Sequence, residues 1–554
     1  MKAAIASLGL IALTTSGAAL HAGEVLLHDA TIHTVDADKP QATAMVFDDS
    51  AGIILAVGEE ATLAKKYPDA RRLDAGGHTV VPGLIDAHGH LMEYGKSLVQ
   101  ADLVGAASRA EVLDRLKAYA DTLSPGAWLL GHGWDQNDWP DKSFPTRQDL
   151  DKAFPERPVW LSRIDGHAGW ANTAALKAAG LMEHTPPDPD GGRIPRDGDG
   201  KPAGVLVDAA TDLVNRVVPP MSLELRARAL RMALERLSAF GLTGIHNAGI
   251  TMAQYRLYQA AVDADQFPLR VYAMAYKRGE LFHAVCDKAV PRDYRDRLFT
   301  GAVKFYIDGA LGSRGATLLE PYSDDPDNRG LLQMSPEQLT EGATEAMNCG
   351  MQVNTHAIGD RGNRIVLDSY EKAIEATGGG PGRHRVEHAQ VVALEDIPRF
   401  AKLHLIASMQ PTHATSDMPW AEDRIGKERI KGAYAWRRFL DAGVRLALGS
   451  DFPVESPDPL AGIYAAITRQ DAKGNPPGGW YPDQRLTRQE ALRGFTLDAA
   501  YAAFMEDEVG SLEAGKRADF VILSDDIMEV PPKQLLQTRV LATYLDGKAV
   551  YRAE

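Results

Sequence analysis

Eight short apolar runs, separated by segments with helical end signals, leave this chain of 554 residues few folds to adopt. The runs are Val80–Ala87, Leu242–Ile245, Leu269–Ala275, Ala302–Ile307, Met351–Thr355, Arg385–Glu387, Leu405–Met409 and Val444–Gly449. Between them, Ser335-Pro336-Glu337-Gln338 joins an N-cap, a first-turn proline and a capping-box glutamine, and Gly350 closes that helix. Thr487 to Glu490 is a second capping box, and Ser222 opens an amphipathic segment that stops at Gly241. Strands that alternate with helices form parallel sheets covered on both faces. Eight of them favour closure into a (β/α)8 barrel over an open doubly wound sheet. The expected fold class is α/β, a TIM barrel over 81–504.

The distance from the first run to the second is too long for one βα unit. Residues 95–240, rich in Trp, Pro and Gly, are expected to form an insertion at the rim where barrel loops build active sites. The chain ends carry further strand patterns, Glu24–Thr34 and Ala44–Val57 near one end and Asp519–Leu523 and Arg539–Tyr551 near the other. Neither pair makes a useful sheet alone, so 23–80 and 505–554 are expected to combine into a small β-sandwich.

Residues 1–22 read as a secretory signal: Lys2, an apolar stretch from Ala3 to Leu13, then small residues ending at Leu20-His21-Ala22. Export, to the periplasm in a bacterium, is the expectation. No other stretch has the length and apolarity of a bilayer span. A net charge of −15 argues against nucleic acid and anionic membranes as partners. The partner expected is a small-molecule substrate, with a homodimer allowed. The two cysteines, Cys286 and Cys349, exclude a disulfide framework. One bridge is open to them, but they read as two small core thiols. Neither has metal-binding spacing, so any metal must be held by His, Asp, Glu or a less usual group.

The first run ends Ile85-Asp-Ala-His88-Gly-His90, and residues i and i+2 of a strand share a face. His88 and His90 therefore aim inward together. Lys304 lies inside run four, His356 ends run five, His388 follows run six and Asp451 follows run eight. Parallel strands all end on one rim, so these side chains converge. Lys304 is the odd member, because a lysine among apolar residues must be paired, neutralised or modified. Imidazole and carboxylate donors suit zinc, and a catalytic zinc keeps a position for water. Further candidates on the rim are Trp134, Asp135, His132, His167, Arg314, His246 and His413, each with ordinary packing or pairing as the alternative. The cluster Asp324 to Asn328 lacks the glycine and final glutamate of a calcium loop and reads as a solvated turn.

The start Pro82-Gly-Leu-Ile-Asp-Ala-His88-Gly-His90, the later histidines and aspartate, and Gly510-Ser-Leu-Glu-Ala-Gly-Lys-Arg-Ala-Asp519 resemble the amidohydrolase superfamily over residues 24–554. Gly131 to Gln136, Arg163 to His167, Lys304 to Arg314 and His356 to Asp360 look like its family 3 branch, typified by N-substituted formamide deformylases. The resemblance implies one or two divalent ions held by His88, His90, Lys304, His356, His388 and Asp451. In the arrangement expected, His88, His90 and Asp451 hold one ion, His356 and His388 a second, and a CO2-derived carbamate on Lys304 bridges them. It implies hydrolysis of an amide or formamide-like C–N bond by metal-activated hydroxide, with Asp451 as catalytic proton carrier. Substrate contacts are expected from Trp134, Asp135, His167, Arg314 and His413. Cyclic-amide hydrolysis or deamination, ester hydrolysis, and last a non-enzymatic binding protein remain as alternatives on the same fold.

Overall fold

The computed structural model describes residues 23–553. The expected signal, residues 1–22, lies outside them. Eight parallel strands form the central sheet: β1 (Leu84–Gly89), β2 (Leu242–Ile250), β3 (Arg270–Tyr276), β4 (Leu298–Tyr306), β5 (Gln352–Ala357), β6 (Arg385–His388), β7 (Ile406–Met409) and β8 (Arg445–Leu448). Neighbours in space are neighbours in sequence all the way from β1 to β8. The ring closes just past the strand ends, where Gly89 bridges Phe452, and Asp451 N donates to His88 O at 2.7 Å. Gly89 is required there: a Cβ would stand 2.2 Å from the Phe452 ring. The fold is a TIM barrel with additional sheets.

The first apolar run is two strands rather than one. Thr79–Pro82 pairs antiparallel with Phe520–Leu523 in an outer sheet, and only Leu84–Gly89 enters the barrel. Pro82 has no N–H to continue a ladder. Gly83 passes so close to Thr243 that a Cβ would clash at 2.2 Å. The outer sheet, with strands from both chain ends, faces a four-stranded sheet of Ile53–Gly58, Ala44–Asp48, Glu24–His28 and Arg71–Asp74. Val25, Leu27, Phe47, Phe520, Ile522 and Tyr544 fill the space between them. Asp519, from the closing motif, is spent on this architecture: its carboxylate accepts from Arg270 of β3 at 3.0 Å and 3.2 Å.

The segment after β1 holds a separate six-stranded sheet, from Ala101–Asp102 to Val205–Asp208. Helix Leu223–Ala239, capped by Ser222, then leads into β2. Trp134 is fully buried in the core of this insertion, against Trp139, Phe144 and Trp170, and its Nε1 donates to Leu161 O at 2.9 Å. This corrects its expected substrate contact, because the indole has no free face toward the barrel mouth. Replacing it with alanine should cost about 3–5 kcal/mol of unfolding free energy, the range for a buried aromatic. Chemical denaturation checks this, and a loss below about 1 kcal/mol would mean the indole is not packed.

Cys286 and Cys349 are joined in a disulfide, their Cα atoms 5.3 Å apart, which corrects the reading as two free thiols. The helices Glu280–Cys286 and Pro336–Asn348 bring them together on the barrel exterior, a juxtaposition that spacing cannot show. No helix of the described residues is long and apolar enough to cross a membrane.

Candidate metal centre

The C-terminal rim gathers residues from five strands. His88 is fully buried, and its Nε2 lies 3.5 Å from Asp451 Oδ1 and 3.1 Å from Lys304 Nζ. His90 Nε2 is 3.1 Å from the same Asp451 oxygen. The rings of His88 and His356 stand 4.7 Å and 4.6 Å from that of His388. One ligand atom each of His88, His388 and Asp451 lie within 4.8 Å of one another, the tightest metal-capable group among the described residues. His388 joins His88 and Asp451 in this group, and His90 reaches the same aspartate oxygen. His356 Nε2 sits 3.6 Å from Asp308 Oδ1.

Two backbone devices aim these ligands. In β6, Arg385 and Glu387 point into the barrel, so continued alternation would turn His388 outward; its φ of +73° swings it back over the rim. Asp451, with φ of +62°, is turned in the same way. Asp86 fastens the ends of β1 and β8, which carry His88 and Asp451. Its Oδ1 accepts from His88 N at 2.9 Å, and its Oδ2 accepts from Ser450 Oγ at 2.6 Å. Gly449 leaves room for that carboxylate, which a Cβ would meet at 2.5 Å. Burial raises Asp86 to about 7.

The electrostatics suit cation binding. Burial lowers His88 to about 4 and holds His356 and His388 well below the usual imidazole range, so their lone pairs are unprotonated at neutrality. Burial would raise Asp451, but His88, His90 and His388 keep it well below the ordinary carboxylate range. His356 Nε2 is buried with no hydrogen-bond partner among the described residues. Orphaned buried donors and acceptors are costly, and a divalent ion bound by His356 would supply the missing partner. The residues therefore fit a metal. Lys304 is fully buried, without a carboxylate ion pair among the described residues, 4.8 Å from the Tyr306 ring, and burial lowers it to about 8.

The remaining candidates divide. His167 reaches the site from the insertion, its ring 5.2 Å from His356, with Nδ1 2.6 Å from Asp208 Oδ1. Burial opposes its protonation, yet Asp208, Asp165 and Asp308 lift it to about 9. His413 stacks 5.9 Å from His388, and its Nε2 is 3.8 Å from Asp451 Oδ2. His132 approaches Pro453 O at 3.4 Å. Arg314 is ion-paired through Nε and Nη2 with Asp324, at 3.2 Å and 2.9 Å. Residues 323–327 form the exposed turn expected there, and Asp324 within it also pairs with Arg424. Asp135 is likewise committed, pairing with Arg163 and capping Asn137 N at 2.8 Å. His246 lies beneath the site, where its Nδ1 accepts from Arg385 Nη1 at 2.8 Å.

Sequence reasoning did not single out Asp86, Glu387, Gln410, Asp208 or Asp308. Asp86 had a legible signal, standing two residues before His88 on the same strand face. Glu387 was masked by its neighbour His388, and the others become visible only through their partners.

A closed barrel with imidazoles and an aspartate gathered at its C-terminal rim is the architecture of a metal-dependent hydrolase. The profile of the amidohydrolase family matches residues 71–551, and the chain belongs to that family. A putative amidohydrolase, YtcJ, of Bacillus subtilis is 34% identical over 538 residues, 95% of this chain and 99% of the relative. The N-substituted formamide deformylase of Arthrobacter pascens is 31% identical over 548 residues, 95% and 98% of the two chains. An uncharacterized metal-dependent hydrolase from Pyrococcus horikoshii superposes with a TM-score of 0.74 at 28% identity, over 92% of this chain and 99% of its own.

Proposed function

We propose that this protein hydrolyses a non-peptide amide or formamide C–N bond of a small molecule. The observation that carries this reading is the convergence of His88, His388 and Asp451, with His90, His356 and buried Lys304, at one barrel mouth. The ligand types suit zinc. A divalent ion held by these residues would supply a water acidic enough to act near neutrality and a Lewis acid for the carbonyl.

Asp451 carries the proton. Its carboxylate, kept ionised by the surrounding imidazoles, accepts a proton from the attacking water as oxygen bonds to the carbonyl carbon. It then returns that proton to the leaving nitrogen as the C–N bond breaks, so amine and acid depart with protons balanced. Lys304, placed beside His88 Nε2 and without a carboxylate partner among the described residues, would be the residue to carry a CO2-derived carbamate if the site holds two ions. His167, fixed by Asp208, and His413 line the mouth and contact the substrate. The deformylase relative supports the formamide reading, and the disulfide supports export to an oxidising compartment such as the periplasm.

A panel of N-formyl amines, N-acyl amines, carboxylic esters and cyclic amides tests the reading. Chelator-sensitive release of amine from the first two groups is expected. Turnover confined to esters or rings would overturn the bond assignment, and binding without turnover of any member would overturn the enzyme.

A further inference from the structure

We propose that Glu387 is a positioning residue: held by Arg385, it locks His88 in the tautomer that presents Nε2 to a divalent ion. The proposal rests on the metal-site reading above and assigns a role to buried charges which that reading leaves unused.

A neutral imidazole has one N–H, and the partner of one nitrogen decides which nitrogen is left as a ligand. His88 Nδ1 donates to Glu387 Oε2, a carboxylate oxygen that can only accept. The proton therefore stays on Nδ1, and the lone pair lies on Nε2, which faces Asp451 Oδ1 and Lys304 Nζ. His88, Glu387 and Arg385 are all fully buried, so no water competes for these positions.

Glu387 cannot turn away. Its Oε1 lies 2.7 Å from Arg385 Nε, and its Oε2 also accepts from Arg385 Nη2 at 3.0 Å. Arg385 is fixed in turn by Ala87 O at 2.6 Å, Ser408 Oγ at 2.8 Å and His246 Nδ1 at 2.8 Å. Arg385 and Glu387, two residues apart on β6, would make a self-contained ion pair. Instead one carboxylate oxygen reaches across the barrel to a ring on β1, the contact that a purely structural pair does not need.

His388 provides the contrast. Its Nδ1 donates to Gln410 Oε1 at 2.8 Å, and Gln410 Nε2 donates to Ser408 O at 3.2 Å, which holds the amide that way round. Both rings are locked alike, but only His88 has an anionic partner. A carboxylate raises the basicity of the ring it accepts from more than an amide does. His88 is therefore the ligand whose partner should matter most to affinity.

Chelator-stripped wild type, Glu387→Gln and the double variant Glu387→Gln/Arg385→Gln would be titrated with zinc against a chromophoric chelator. Near-ultraviolet circular dichroism would check the fold, and the double variant removes both buried charges in case the single one fails to fold. Zinc affinity should fall about 10–100-fold in the folded variant while the spectrum is kept. Unchanged affinity in a folded variant would overturn the role. A zinc-loaded crystal of the wild type decides independently of either variant: zinc on His88 Nε2 is expected, and zinc on Nδ1 overturns the proposal. Absence of zinc binding by the wild type would instead remove the metal reading itself.

Discussion

Asp451→Asn should leave a folded protein that still takes up metal but turns over substrate about 10²–10⁴-fold more slowly, the usual contribution of a positioned acid–base group. The substitution preserves size and removes the carboxylate. Asp451 Oδ1 lies 3.1 Å from His90 Nε2 and 3.5 Å from His88 Nε2, contacts that an amide oxygen can keep. His88, His90, His356 and His388 remain, which is why metal should be kept. The loss should fall on kcat, with little change in KM, because the proton is transferred in the transition state. Retention of the full rate, with metal content unchanged, would remove Asp451 as the proton carrier.

Stripping the protein with a chelator should abolish turnover, and zinc should restore it. Without an ion the site holds an unpartnered His356 Nε2 and unprotonated imidazoles, which a divalent cation would engage. Lys304 adds a second condition. Burial brings its amine down to about 8, which makes the neutral form that reacts with CO2 more available than in an ordinary lysine. Zinc added in carbonate-free buffer should restore activity only in part, and added bicarbonate should complete the recovery. Full recovery without bicarbonate would remove the carbamate, and activity unaffected by complete metal removal would sink the proposed chemistry altogether.

The two experiments separate two contributions that one site combines. The first asks what a carboxylate of this chain does with a proton. The second asks what the buried cluster is built to hold. The anionic partner of His88 links them, because an ion held by His88 would lie beside the Asp451 carboxylate that moves the proton.

Much of this molecule is legible in one dimension. Each of the eight runs marks a barrel strand, the first through its second half only and the sixth despite Arg385 and Glu387, because a strand buried on both faces tends to be apolar and that requirement is local. The helix caps at Ser222, Ser335 and Thr487 are equally local and stand in the structure. The ligand residues were legible for a related reason: placing His88 and His90 two apart at a strand end, and His356, His388 and Asp451 after later strands, fixes their common rim once the strands are parallel.

What tertiary structure decided depends on partners distant in sequence. Only packing shows that Trp134 belongs to the core of the insertion, that Asp324 takes Arg314, and that Cys286 meets Cys349. Alternation in β6 points His388 away from the site, and a left-handed turn reverses it. Glu387 and His88 are 299 positions apart. Period and propensity act over a few residues, whereas a buried charge finds its counterpart only when the barrel closes and excludes water from both.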